Sequence, residues 1–282
     1  MKIGFLNLYQ EKKGEYDIPI IKQIHMAKRT NKNKRVSANE RQRIKREMSK
    51  IYSKLDKEKN KLNIQGTIEQ AIKSITGEDV ELNASGRTDA GVHALGQVAN
   101  FKTNSLIPIE KFAIAINSRL KKSIVIKKAE EVDERFHSRL NCKRKTYRYI
   151  INNSPYGTAI YRYLETHIPQ KLNVEKMKKA VKYFIGEHDF KAFKASGTSS
   201  KSSVRTIYDA KIYQNGDKIY IELTGNGFLY NMVRIIAGTL VEVGLEKIEP
   251  EKIEEIIKEG KRENAGKTLP PNGLYLVDVK YE

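Results

Sequence analysis

One stretch of the sequence, residues 84–101, constrains the fold more than any other part of the chain. An apolar-leaning run at residues 80–84 leads into it, and a second apolar run at residues 98–101 closes it. The sequence therefore predicts two strands with a polar loop between them. Three glycines at regular intervals within the stretch let the backbone turn tightly or approach a ligand closely.

The predicted loop carries three chemically active side chains, Arg87, Asp89 and His93. An ordinary turn is the alternative, because Asp and Thr bond to nearby backbone groups and Arg is usually solvated. The longer string from residue 86 to residue 101, G-R-T-D-A-G-V-H-A-L-G-Q-V-A-N-F, closely resembles the signature of the TruA family of tRNA pseudouridine synthases. That resemblance implies that Asp89 is the catalytic nucleophile. Arg87, a cation next to Asp89, can occupy the space left by a flipped base and hold backbone phosphates.

A second string, K-R-K-T-Y-R-Y-I-I from residue 143, predicts a strand with Lys145, Tyr147 and Tyr149 on one face. Basic and aromatic groups on one face suit RNA, because bases stack on rings and phosphates pair with cations. Packing in the core is the commoner use of strand tyrosines. The family resemblance places an active-site tyrosine at Tyr147, which would stack on the target base, and we expect Tyr149 to be core.

A third string, G-N-G-F-L-Y-N-M-V-R at residues 225–234, leads into a predicted apolar-faced helix. An Arg on such a helix usually reaches out to solvent. In the resembled family, however, this Arg pairs with the catalytic Asp, and a preceding apolar residue packs beside the target base. The resemblance therefore implies substrate-site roles for Arg234 and Leu229.

Four further residues are candidates for RNA contact. Two of them, Arg135 and Arg139, lie in a segment that resembles the family's F-H-A-R element, and the basic edge of an ordinary strand is the alternative there. Arg205 lies in a segment that resembles the family's V-R-T-I element. The fourth is His93 of the predicted loop.

The charge of the chain favours a polyanionic partner. The formal net charge is +19 over 282 residues, which is best explained by nucleic acid. Residues 1–61 hold 18 basic and 7 acidic residues, a net charge of +11, whereas the other 221 residues have a net charge of +8. Much of the basic excess thus lies outside the part that resembles an enzyme.

Residues 1–61 form an atypical basic segment. Family members usually open on a strand and a Y-D-G … G-W-Q segment, but this chain contains no tryptophan. The sequence predicts a short strand at residues 1–8, and the apolar residues of 37–61 recur with helical periodicity. The helical part could be a basic arm lying on RNA or a solvated, partly disordered extension, and the sequence leaves both open.

These patterns together predict an α+β fold. It has two related domains, residues 62–134 and 135–282, with mainly antiparallel sheets and a basic catalytic cleft between them. The resemblance implies isomerisation of uridine to pseudouridine in RNA, foremost at positions 38–40 of the tRNA anticodon arm, by a homodimer without metal or organic cofactor. The alternatives are the same chemistry on ribosomal RNA, or a non-catalytic RNA-binding protein derived from this fold.

Cysteine content and hydropathy add two further expectations. The single cysteine, Cys142, excludes a disulfide within the chain and any site with several cysteine ligands. The sequence has neither an apolar run of membrane-spanning length nor a secretory signal pattern, so we expect a soluble cytoplasmic protein.

Overall fold

The computed structural model describes residues 2–10, 63–197 and 202–282, so the predicted helix over residues 37–61 lies outside the described residues. The strands are β1 (Lys2–Gln10), β2 (Asn83–Ala84), β3 (His93–Thr103), β4 (Ile124–Ile126), β5 (Arg144–Asn152), β6 (Thr166–His167), β7 (Gly186–Asp189), β8 (Val204–Asn215), β9 (Lys218–Gly225) and β10 (Leu274–Lys280). The α-helices are α1 (Ile64–Thr76), α2 (Ile109–Asn117), α3 (Val174–Val181), α4 (Met232–Gly244) and α5 (Lys252–Glu259).

The ten described strands form one mixed sheet. Eight of them follow the order β4-β1-β3-β10-β5-β9-β8-β7, while β2 pairs with β3 and β6 pairs with β5. Within the described ranges, the pairs β10–β3 and β5–β6 are parallel and the other pairs are antiparallel. The predicted combination of helices with a mainly antiparallel sheet is confirmed.

Strand β10 joins the two halves of the molecule. On one side Tyr275 is in register with His93 of β3, and on the other side Leu274 is in register with Tyr149 of β5. The close approach to β3 requires a glycine, because a Cβ at Gly96 would lie 2.3 Å from the Val277 carbonyl oxygen. The strands of both halves therefore belong to a single sheet, and the division at residue 135 stays a prediction.

The short strand predicted at residues 1–8 is present as β1. It pairs antiparallel with β3, from Lys2 opposite Thr103 to Leu8 opposite Gln97. Its other edge pairs with β4. Strand β1 thus occupies a position inside the sheet, between β3 and β4, although its sequence lacks the usual opening of the family.

The buried apolar side chains form two main cores. One lies under α1 and α2, and it includes Ile72, Phe101 and Ile116. The other lies under α3, α4 and α5, and it includes Tyr149 and Ile236. Tyr149 is fully buried, which confirms the expectation that it is core. Among the helices of the described ranges, none is long and apolar enough to cross a bilayer.

Candidate active site

The loop predicted to carry the chemistry joins β2 to β3. The Ser85 amide donates to the Val98 carbonyl oxygen over 2.7 Å, and the Val92 amide donates to the Asp89 carbonyl oxygen over 3.1 Å. The first bond holds the start of the loop on β3, and the second closes a turn within the loop. Asp89 lies in it as predicted, but His93 is the first residue of β3 and does not belong to the loop.

His93 is buried, with 1% of its surface exposed. Its Nε2 atom lies 2.9 Å from the Tyr163 carbonyl oxygen, and its ring stacks on Tyr275 with 4.7 Å between centroids. This placement does not agree with the predicted RNA contact, because RNA cannot reach a side chain packed inside the protein. Tyr275 lies at the paired position on β10, and its ring covers the imidazole.

The structure brings Asp89 and Arg234 together from distant parts of the chain. One guanidinium nitrogen of Arg234 lies 3.3 Å from Asp89 Oδ2. The Arg234 side chain is 15% exposed and the Asp89 side chain is 38% exposed, so the pair lies at the edge of the interior. Arg234 belongs to the first turn of α4, as the sequence predicts.

Two further groups fix the direction of the Arg234 side chain. Its Nε donates to the Leu269 carbonyl oxygen over 2.7 Å, and a terminal nitrogen donates to Asn231 Oδ1 over 2.7 Å. Asn231 has a left-handed backbone with φ of 60°, a conformation that Asn tolerates better than most residues. No role was predicted for Asn231, although it lies inside the third string, or for Leu269, which acts through a backbone atom.

A cavity of about 130 Å³ opens beside the ion pair. This is about ten times the space that a water molecule needs, roughly 10–15 Å³. The loop supplies polar atoms on one side, and aromatic and aliphatic side chains form much of the remainder. The lining residues are Arg87, Thr88, Asp89, Val92, Tyr147, Phe228, Leu229, Tyr230, Asn231, Met232, Val233, Arg234 and Leu274.

Tyr147 forms an aromatic wall of the cavity. Its ring meets Phe228 edge to face with 5.2 Å between centroids. Burial, together with the negative charge of Asp89, raises the pKa of Tyr147 to about 12. The phenol therefore stays neutral at physiological pH, which suits a stacking surface better than a proton acceptor.

Comparison with known proteins decides the family. A family model described as tRNA pseudouridine synthase matches residues 47–141 and 180–282. The chain belongs to the tRNA pseudouridine synthase family. It is 52% identical over 230 residues to tRNA pseudouridine synthase A of Acetivibrio thermocellus, covering 82% of this chain and 94% of that protein. Its identity to tRNA pseudouridine synthase A of Caldicellulosiruptor saccharolyticus is 53% over 230 residues, with the same coverage.

The remaining predicted residues of this pseudouridine synthase lie at or outside the cavity. Leu229 is 5% exposed and forms part of the wall, whereas Arg87 is exposed at the rim. Arg135 is 92% exposed and lies 3.2 Å from Asp133. The two others are Arg139, which is exposed, and Arg205, which is half-buried and donates to the Ser202 carbonyl oxygen. RNA contacts of Arg135, Arg139 and Arg205 stay predictions.

We expect Arg234→Ala to lower the free energy of unfolding by about 1–3 kcal/mol, because partly buried acceptors lose their donor. Arg234→Lys should recover only part of this loss, since an ammonium cannot reproduce the fork of the guanidinium. Urea denaturation measures both, with the exposed Arg139→Ala as a matched control. Unfolding of the Arg234→Ala variant at the wild-type urea concentration would contradict the structural role of this side chain.

Proposed function

We propose that this protein isomerises uridine to pseudouridine in tRNA, at positions 38–40 of the anticodon arm. The observation that carries the proposal is the Asp89 carboxylate, held 3.3 Å from Arg234 on the wall of a cavity lined by both polar and apolar groups. Membership of the tRNA pseudouridine synthase family supports the same reaction. Glycosidic-bond chemistry on a base requires a carboxylate beside a cavity that can hold the base.

The target nucleotide must leave its stack to reach the cavity. Unstacking costs a few kcal/mol, and the enzyme has to offset that cost with contacts of its own. Arg87 is exposed at the rim of the cavity, where a guanidinium can take the vacated place and contact backbone phosphates. Tyr147 and Leu229 then receive the base between an aromatic and an aliphatic surface.

Asp89 assists cleavage of the bond between N1 of uracil and C1′ of the ribose. It acts either as a nucleophile at C1′ or as a base in an elimination route. The freed uracil rotates in the cavity, and a bond forms between C5 and C1′. In the nucleophilic route the bond between Asp89 and C1′ breaks in this step, and in the elimination route Asp89 returns to C2′ the proton that it had removed. The C5 proton is then lost, and N1 carries a proton in the product, so the reaction is an isomerisation without net gain or loss of atoms.

Arg234 serves this chemistry by orientation. Its bonds to Leu269 and Asn231 fix the guanidinium, which in turn fixes the direction of the Asp89 carboxylate. Tyr147 contributes its ring and not a charge, because its raised pKa keeps the phenol neutral. The cavity walls keep the free base beside the ribose until it rejoins.

We further propose that the active protein is a cytoplasmic homodimer, in line with the family resemblance. Light scattering of the purified protein tests the oligomeric state. A mass near twice 32.3 kDa supports the proposal, and a monomer at working concentration contradicts it.

The proposed reaction is tested by incubating the protein with unmodified tRNA and with ribosomal RNA transcripts, followed by mapping of pseudouridine. Pseudouridine at positions 38–40 of the tRNA alone supports the proposal. Modification of ribosomal RNA alone would favour the second candidate substrate. Tight binding of RNA without any pseudouridine would favour a non-catalytic RNA-binding protein.

A further inference from the structure

Lys145 contacts the catalytic loop from the other half of the molecule. Its Nζ donates to the Ser85 carbonyl oxygen over 2.6 Å. Lys145 lies near the start of β5, and Ser85 is the residue at which the chain leaves β2 for the loop. The bond therefore connects the strand that carries Tyr147 with the loop that carries Asp89.

The position of Lys145 follows from the alternation of side chains along β5. Lys145 precedes Tyr147 by two residues, so both side chains extend from the same face of the sheet. In register, Lys145 lies opposite Val279 of β10 and Gly225 of β9. Its long side chain reaches from this central strand to the beginning of the loop.

A second anchor holds the same point of the loop. Gln97 on β3 accepts from the Ser85 hydroxyl over 2.6 Å and donates to the Gly86 carbonyl oxygen over 2.9 Å. Ser85 is fully buried, and Gln97 is 7% exposed. Loss of the Lys145 ammonium would remove a donor from a buried carbonyl oxygen, which is costly because water cannot readily replace it.

An ion pair does not explain the position of the Lys145 ammonium. Within residues 63–197 and 202–282, no carboxylate lies within 4.0 Å of its Nζ. Burial lowers the pKa of Lys145; the nearby Cys142 opposes this shift, and the charge of Arg139 adds to it. Burying part of a cation without a carboxylate partner costs desolvation free energy. The hydrogen bond from Lys145 to the Ser85 carbonyl oxygen is therefore the contact that explains why the ammonium lies at this point.

We propose that Lys145 is a positioning residue of the reaction, which holds the start of the catalytic loop so that Asp89 faces the cavity beside Tyr147. This inference rests on the proposed function. Lys145 itself lies outside the lining of the cavity and acts through Ser85 and the loop. A displacement of about 1 Å at a catalytic group can cost roughly 100-fold in rate, so a single anchor of this kind has a measurable effect.

The test compares Lys145→Met with Lys143→Met, a matched control that removes an exposed lysine two residues away. We expect Lys145→Met to lower kcat for pseudouridine formation by about 10- to 100-fold. Its Kd for tRNA, and the slope of log affinity against log salt concentration, should match those of the wild type. Lys143→Met should keep the wild-type kcat.

A direct phosphate contact by Lys145 would give the opposite pattern. The Lys145→Met variant would then bind tRNA more weakly, with a flatter salt dependence, while kcat stays at the wild-type value. That result overturns the proposal, and so does a variant with wild-type kcat and Kd. Absence of pseudouridine with the wild-type protein would instead refute the proposed function.

Two milder variants keep the proposal testable if Lys145→Met does not fold. Gly86→Ala adds a Cβ 3.3 Å from the Lys145 Nζ, which pushes the ammonium without removing its charge. Lys145→Arg keeps a cationic donor of different shape. We expect both to lower kcat several-fold at unchanged Kd and to speed hydrogen exchange of residues 85–91. Wild-type kcat and wild-type exchange in both variants would overturn the proposal.

Discussion

Asp89→Asn should abolish pseudouridine formation while tRNA binding stays within about twofold of the wild type. The substitution keeps the size of the side chain and its contact with Arg234, but it removes the carboxylate that the chemistry requires. We expect a loss of rate of about 10³-fold or more, which is the upper range for removal of a catalytic acid, base or nucleophile. Single-turnover assays with unmodified tRNA measure the rate, and filter binding measures the affinity.

Asp79→Asn is the matched control, because Asp79 is an exposed carboxylate that pairs with Lys73 on the surface. It should retain the wild-type rate. Turnover by the Asp89→Asn variant at more than a few per cent of the wild-type rate would remove Asp89 from the catalytic role. A parallel loss of tRNA binding would show that the substitution disturbs the loop and not only the chemistry.

Gly238→Ala should destabilise the protein by about 3 kcal/mol or more. Ala normally stabilises a helix interior relative to Gly by roughly 1 kcal/mol, so the expected sign is the opposite of the general rule. The reason is contact between backbones: a Cβ at Gly238 of α4 would lie 1.8 Å from the Lys267 carbonyl oxygen. Moving either α4 or the backbone segment around Lys267 to relieve this contact would cost free energy.

The same substitution should impair catalysis in the molecules that still fold. The segment after Gly266 carries Leu269, whose carbonyl oxygen accepts from Arg234. Displacing this segment changes the direction of the guanidinium and hence of Asp89. Gly227→Ala is the control, because the atom nearest its added Cβ lies 3.8 Å away. Equal urea midpoints for Gly238→Ala and the wild type would contradict the packing of α4.

Local sequence patterns predicted individual helices and strands better than they predicted which strands pair in the sheet. The alternation of side chains correctly predicted β5, and the apolar face that follows the third string correctly predicted α4. A pattern along one strand, such as β5, does not say which strands lie on either side of it. Pairing between distant strands depends on the whole set of competing edges, so the single continuous sheet was not foreseen.

The candidate site was likewise predicted only in part. Resemblance to a family pointed to Asp89 and Arg234, and the structure places them side by side. His93 belongs to the same string but is buried, since the string does not distinguish residues that face a ligand from residues that support the loop. The Leu269 carbonyl oxygen could not be predicted, because every residue has such a group and only the fold selects one.

The location of β10 has a consequence for the order of events during synthesis. This strand lies between β3 and β5, yet it is made after both of them. Until residues 274–280 have emerged from the ribosome, the adjoining edges of β3 and β5 stay open, and such edges attract other strands. Contacts between segments so far apart in the chain also form slowly. The nascent enzyme therefore passes through a vulnerable stage in which Asp89 and Tyr147 exist but are not yet joined through a common sheet.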